Sequence, residues 1–146
     1  MEKILDIISK EVMEAMKANG YEEKYGKVTL SNRPDLCEYQ CNGAMAAAKE
    51  YKCAPFLISD KIAQSLAGNR IFASAESVKP GFLNLKIHPE YLAEYLREME
   101  SDQERLGCEK CKAPKTIMID YGGPNVAKPL HVGHLRSAII GESVKR

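Results

Sequence analysis

His131 and His134 lie three residues apart, with Gly133 between them. They belong to the run Ile119-Asp120-Tyr121-Gly122-Gly123-Pro124-Asn125-Val126-Ala127-Lys128-Pro129-Leu130-His131-Val132-Gly133-His134-Leu135-Arg136-Ser137. Spacing of three puts both imidazoles on one face of a helix, close to its start. Free N–H groups and the helix dipole draw anions to such a start. Imidazole N–H groups held there can donate to phosphate oxygens as charge builds in a transition state. Lys128 adds a compact positive charge suited to phosphate. Gly133 carries no side chain, so a flat ring such as adenine has room to lie close. Asp120 caps a short apolar run, and its carboxylate can pair bidentately with a guanidinium. Gly122 and Gly123 leave the backbone free to approach a ligand, and Asn125 brings both a donor and an acceptor.

Two histidines on a helix are a weak signal alone; the layout around them sharpens it. Thr116-Ile117-Met118-Ile119 reads as a buried parallel strand. It feeds the Gly/Pro/Asn turn, then a helix over 130–146 with Val132, Leu135, Ile139 and Ile140 turned inward. Strand, turn and helix in that order make the nucleotide-phosphate corner of an open α/β sheet.

The preceding residues read differently. Ile4, Leu5, Ile8, Val12 and Met16 recur at helical spacing over 2–18, and Asn19-Gly20 ends that helix. A strand is expected near 27–31, and 38–42 is short and mixed. Alanine-rich 43–51 favours helix. Pro55 opens another helix that stops at Gly68-Asn69. Residues 71–78 and 82–88 read as two strands joined by Lys79-Pro80-Gly81. Pro89 starts a helix to about Asp102 that is expected to bury Tyr91, Leu92, Tyr95, Leu96 and Met99. The expected fold class is therefore an α+β N-terminal domain, an antiparallel sheet with helices, followed by the first strand-turn-helix of a Rossmann-type α/β domain. The divisions are 1–105, a charged linker at 106–115, and 116–146.

Composition narrows the function. The 146 residues carry 21 Lys and Arg against 20 Asp and Glu, net +1, which excludes a global nucleic-acid signature. The charge is split: residues 1–114 are net −2 and residues 115–146 net +3. No apolar run nears the roughly 20 residues of a membrane span. The first residues lack a signal-peptide layout, so a cytoplasmic location and no membrane partner are expected. Cys37, Cys41, Cys53, Cys108 and Cys111 then read as reduced thiols. Cys108-Glu109-Lys110-Cys111 has zinc-like spacing but lacks the second short knuckle, so no metal site is expected.

The stretch from Pro124 to Ser137 resembles the first signature of class I arginyl-tRNA synthetases, in which the Pro-Asn-x-Ala-Lys lead-in separates the arginine enzymes from other His-x-Gly-His families. Tyr39-Gln40-Cys41-Asn42-Gly43-Ala44-Met45 and Lys79-Pro80-Gly81-Phe82-Leu83-Asn84-Leu85 are more loosely similar to two stretches of that family's N-terminal domain. The resemblance implies a ligase that activates arginine with ATP, bound as substrate with Mg2+, and esterifies the terminal adenosine of tRNA(Arg). It implies ATP contacts at His131, Gly133 and His134, with His131, His134 and Lys128 as the catalytic group. It implies arginine contacts at Asp120, Gly123, Asn125 and His131. It implies an N-terminal domain that packs on the tRNA elbow and reads a D-loop base with Phe82 and Asn84. Two departures stand out: Gly123 replaces a serine common in the family, and Glu38 an aspartate.

Because the run stops one helix after the motif, the chain is expected to be the N-terminal part of a longer, monomeric enzyme and inactive alone. The alternatives are a stand-alone RNA-binding module with a vestigial catalytic segment and, less favoured, another His-x-Gly-His nucleotidyltransferase such as a cytidylyltransferase.

Overall fold

The computed structural model describes residues 1–123 and 126–146. They form two compact units, Met1–Glu109 and Lys110–Arg146.

In the first unit, the apolar stripe of α1 (Ile4–Ala18) buries Ile8, Val12, Ala15 and Met16. Gly20 ends this helix at φ +80°, with Tyr21 N donating to Met16 O and Gly20 N to Lys17 O. Those two bonds make a Schellman motif, which a left-handed glycine permits without a Cβ penalty. A 3-10 turn (Glu23–Gly26) leads into β1 (Val28–Leu30). Then follow β2 (Tyr39–Cys41), α2 (Gly43–Tyr51), α3 (Pro55–Leu66), β3 (Phe72–Val78), β4 (Phe82–Ile87) and α4 (Pro89–Ser101).

The four strands form one antiparallel sheet in the order β1-β2-β4-β3. β4 sits inside the sheet and alternates strictly. Leu83, Leu85 and Ile87 join the buried cluster with α1, α2 and α3. Phe82, Asn84 and Lys86 therefore lie on the opposite face, because successive strand side chains point to opposite sides. Cross-strand register puts Thr29, Gln40, Asn84 and Glu76 in one row across that second face. The only polar group deep in the core side of this unit's α3, Ser59, is satisfied by Ser77 Oγ at 2.6 Å and Phe56 O at 3.1 Å.

Two sites close the sheet's corners. Glu38 Oε2 accepts from Ile87 N at 2.8 Å, tying the entry of β2 to the end of β4. Gly43 opens α2 so tightly under the 3-10 turn that a Cβ there would stand 1.7 Å from Tyr25 O.

Several expectations need correction. Residues 39–41 form a strand where the sequence is mixed, because β4 supplies a partner that local pattern does not reveal. Helix α4 buries none of its residues. Tyr91 and Tyr95 are half-buried along one edge, Tyr95 Oη donating to Glu2 O, while Leu92 and Leu96 face solvent. Residues 116–119 form no strand, and Ile117 and Met118 are exposed. A strand exists through its ladder, and no partner pairs with this run among the described residues. In α5 (Val132–Lys145), Val132, Leu135, Ile139 and Ile140 are likewise exposed, and Gly141 is its buried residue. Among the described residues no helix is long and apolar enough to cross a membrane.

Gly43→Ala is expected to cost about 1–3 kcal/mol, because the clash is with backbone and no rotamer relieves it. Leu85→Ala is expected to cost about 2–5 kcal/mol through the cavity it leaves. Urea unfolding of both variants beside the parent checks this. A Gly43→Ala midpoint equal to the parent's contradicts the packing described.

Candidate functional site

The second unit organises the histidine pair by a capping interaction. His131 is the N-cap of α5, with extended backbone at φ −138° and ψ 173°. Its Nδ1 accepts from Gly133 N at 3.1 Å. His134 Nδ1 accepts from His131 N, also at 3.1 Å. The two bonds are reciprocal and satisfy donors that a helix start otherwise leaves unpaired. The rings lie 4.1 Å apart, centroid to centroid, tilted by 44°.

The cap fixes the chemistry of both rings. A nitrogen that accepts a hydrogen bond carries no proton, so each neutral ring holds its proton on Nε2. The backbone bonds therefore leave one N–H on each ring for an outside acceptor. The rings border a concavity of about 630 Å³, with Tyr121, Gly122, Gly123, Leu130 and Ser137 among the other lining residues.

Gly133 acquires a local reason. A Cβ there would approach His131 Cε1 to 2.8 Å and Nδ1 to 3.0 Å, so the missing side chain accommodates the capping ring itself. Gly122 and Gly123 carry no positive φ, and a Cβ at either meets nothing within 4 Å among the described residues.

Tyr121, which sequence reasoning gave no role, holds the turn against α5. Its ring covers Gly141, where a Cβ would come within 2.1 Å of it. Its hydroxyl donates to Glu142 Oε2 at 2.5 Å. That bond, then Arg146 and Lys145, holds the Glu142 carboxyl below the usual carboxylate range, and the same bond raises the Tyr121 phenol. A glycine inside a helical pattern was the one signal for this contact, since glycine there is unfavourable without a packing reason.

The remaining expected residues are less gathered. Asp120 and Lys128 are exposed, with no hydrogen bond or ion pair among the described residues, and neither lines the concavity. Asn125 lies outside the described residues. Among the described residues no three His, Cys, Asp or Glu side chains converge as metal ligands. Cys108 and Cys111 are exposed, and Cys37 and Cys41 are buried.

In the first unit, Phe82 is half-buried and Asn84 is 9% exposed on the sheet face turned away from the helices. Gln40 Nε2 donates to Asn84 Oδ1 at 2.8 Å. Sequence reasoning did not show this contact, because the two partners lie 44 residues apart.

Comparison with known proteins identifies both units. Residues 2–87 match the model of the arginyl tRNA synthetase N terminal domain, and residues 97–146 match that of the class I (R) tRNA synthetase catalytic domain. The arginine--tRNA ligase of Agathobacter rectalis is 68% identical over all 146 residues, and that of Alkaliphilus oremlandii 52%. The chain spans about a quarter of the length of these curated relatives, 24% and 25%. Arginyl-tRNA synthetase from Plasmodium falciparum aligns in structure over 99% of this chain and 28% of its own, with 27% identity and TM-score 0.60. The Thermus thermophilus enzyme aligns over 97% of this chain and 22% of its own at TM-score 0.56; its 23% identity bears on fold alone.

Gly133→Ala is expected to expel the His131 ring from its cap, and Tyr121→Phe to raise the Glu142 pKa toward the ordinary carboxylate value. Imidazole nitrogen shifts report the first and a carboxyl NMR titration the second. With its pKa lowered by folding, Glu142 stabilises the turn above the ordinary carboxylate range and loses that contribution as pH falls through the lowered value. An unchanged His131 Nδ1 shift in Gly133→Ala, or an unmoved Glu142 titration in Tyr121→Phe, contradicts these contacts.

Proposed function

The chain belongs to the arginyl-tRNA synthetase family, and on that premise we propose that the whole protein is an arginine-tRNA ligase. It condenses arginine with ATP to arginyl-adenylate, releasing pyrophosphate, and passes the arginyl group to the terminal adenosine of tRNA(Arg). Residues 1–105 serve as the tRNA-elbow domain, 106–115 as a linker, and 116–146 as the start of the catalytic Rossmann-type domain. The protein works in the cytoplasm as a monomer.

One observation carries the reading: the reciprocal cap that turns both Nδ1 atoms of His131 and His134 to the backbone. It directs both Nε2–H groups away from that backbone, where each can donate to phosphate oxygens as negative charge develops. Gly133 keeps the cap closed on the ATP side, and Lys128 adds charge near the phosphates. Asp120 offers a carboxylate to the arginine guanidinium, with Gly123, Asn125 and His131 beside the amino acid. ATP enters as substrate with Mg2+ on its phosphates. Among the described residues no carboxylate lines the concavity, so none of them offers the metal a ligand there.

On the first unit, Phe82 supplies a stacking surface for an unpaired D-loop base and Asn84 reads its edge, the usual manner of single-stranded RNA recognition. The unit's own closed hydrophobic core also favours a second reading, in which residues 1–105 bind tRNA independently.

A Rossmann-type site needs neighbouring strands to form its crevice, and none pairs with residues 116–119 among the described residues. The 146 residues alone are therefore expected to give no arginine-dependent pyrophosphate exchange. The same assay on a chain carrying the complete catalytic domain should give exchange, reduced by about 100-fold or more in His134→Ala. Exchange by the 146 residues, or an undiminished His134→Ala enzyme, contradicts the proposal. Filter binding of the 146 residues to tRNA should weaken steeply with added salt.

A further inference from the structure

We infer that Tyr121 is a positioning residue for the amino acid: laid over Gly141 and bonded to Glu142, it fixes where residues 120–123 stand against α5, and so how well arginine is held. This rests on the reading of Asp120 and Gly123 as arginine contacts.

The concavity of about 630 Å³ draws its lining from two stretches of chain. Tyr121, Gly122 and Gly123 line it from before the turn, and residues between Leu130 and Ala138 line it from after. Two contacts hold these stretches to one helix. At the start of α5 the reciprocal cap fixes His131. Farther along, the Tyr121 ring lies on Gly141 and its hydroxyl donates to Glu142 Oε2 at 2.5 Å. Gly141 is ten residues beyond His131, about 15 Å of helical rise. A single helix therefore anchors residues 122–130 at both ends.

Both halves of the Tyr121 contact are specific. A Cβ at Gly141 would come within 2.1 Å of Tyr121 Cγ, so only glycine admits the ring at this depth. Glycine weakens a helix interior, and seating the ring is what it provides in return. Glu142 is steadied as the acceptor by two cations of the last turn. Arg146 Nε donates to its Oε1 at 3.2 Å and Lys145 Nζ to its Oε2 at 3.4 Å.

The neighbours of Tyr121 have no comparable anchor. Asp120 precedes it directly and makes no side-chain hydrogen bond or ion pair among the described residues. Gly123 follows two residues later, and a Cβ there meets nothing within 4 Å among the described residues. The histidine cap is independent of Tyr121, being made by His131, Gly133 and His134 alone. Loss of the Tyr121 contact thus loosens the arginine side of the site and spares the ATP side.

The test is steady-state aminoacylation of tRNA(Arg) by a chain carrying the complete catalytic domain, with arginine and ATP varied separately. Tyr121→Phe should raise the KM for arginine about fivefold, the size of one hydrogen bond, with kcat and the KM for ATP within about twofold of the parent. Glu142→Ala should match it, and the double variant should add nothing, because the two residues share one bond. Glu142→Gln still offers an acceptor and should restore the parent's KM. Gly141→Ala separates position from fold. Alanine strengthens the helix yet displaces the ring, so helix stability alone predicts no loss, and positioning predicts a raised KM for arginine. An unchanged arginine KM in Tyr121→Phe or in Gly141→Ala overturns the positioning role and leaves the ligase reading standing. A fall in kcat alone, or equal rises in both KM values, overturns it too, since either marks a general disturbance of the fold. A parent that charges no arginine onto tRNA overturns the ligase reading and this inference together.

Discussion

Strict alternation along β4 is the constraint on which the first unit depends. This strand is paired on both edges, to β2 and to β3. Leu83, Leu85 and Ile87 must meet the helices, so its register with both neighbours is fixed; a slip of one residue would exchange the two faces. The buried set is mainly aliphatic and includes residues from α1, α2 and α3. The other face is free of that packing demand. Phe82, Asn84 and Lys86 occupy it as a consequence of where their neighbours are buried. Core formation and the display of a polar row are thus one event, and Gln40 joins that row because β2 pairs with β4 residue for residue.

The second unit rests on a smaller device. A helix start leaves backbone donors without partners, and here two imidazoles supply the acceptors. The same bonds orient the rings and set their tautomers. A site of this kind is positioned by backbone, and side-chain packing contributes little to it. Exposure of Leu135, Ile139 and Ile140 fits that account: the cap forms in a helix whose apolar stripe has no cover among the described residues. Tyr121, laid over Gly141, supplies the other contact that holds the turn to the helix.

Much of the fold was legible because its signals are local. Gly20 and Gly68 punctuate helix ends, Pro55 and Pro89 mark helix starts, and Lys79-Pro80-Gly81 marks the hairpin. The α+β class followed from those marks. What escaped was non-local. Strand β2 is three residues long and exists through its partners. The inward stripes assigned to α4 and α5 showed which residues share a face, but a stripe does not say whether anything covers it. Residue types and spacing singled out His131, Gly133 and His134, which the structure gathers at the start of α5. The sequence did not show that both rings turn Nδ1 to the backbone, or that Gly133 makes room for a ring of its own chain. The Gln40 contact was hidden for a similar reason, being fixed by register between distant strands.

The central claim is that β4 sorts its residues between a core face and an RNA face. An amide NMR titration of the isotopically labelled 146-residue chain with tRNA(Arg) tests it most directly. The account predicts that saturating tRNA shifts the signals of Thr29, Gln40, Phe82, Asn84 and Lys86, and leaves those of α1 and the buried side of α3 in place. Shifts confined to the helical face, with the row across β1, β2 and β4 unmoved, would contradict it.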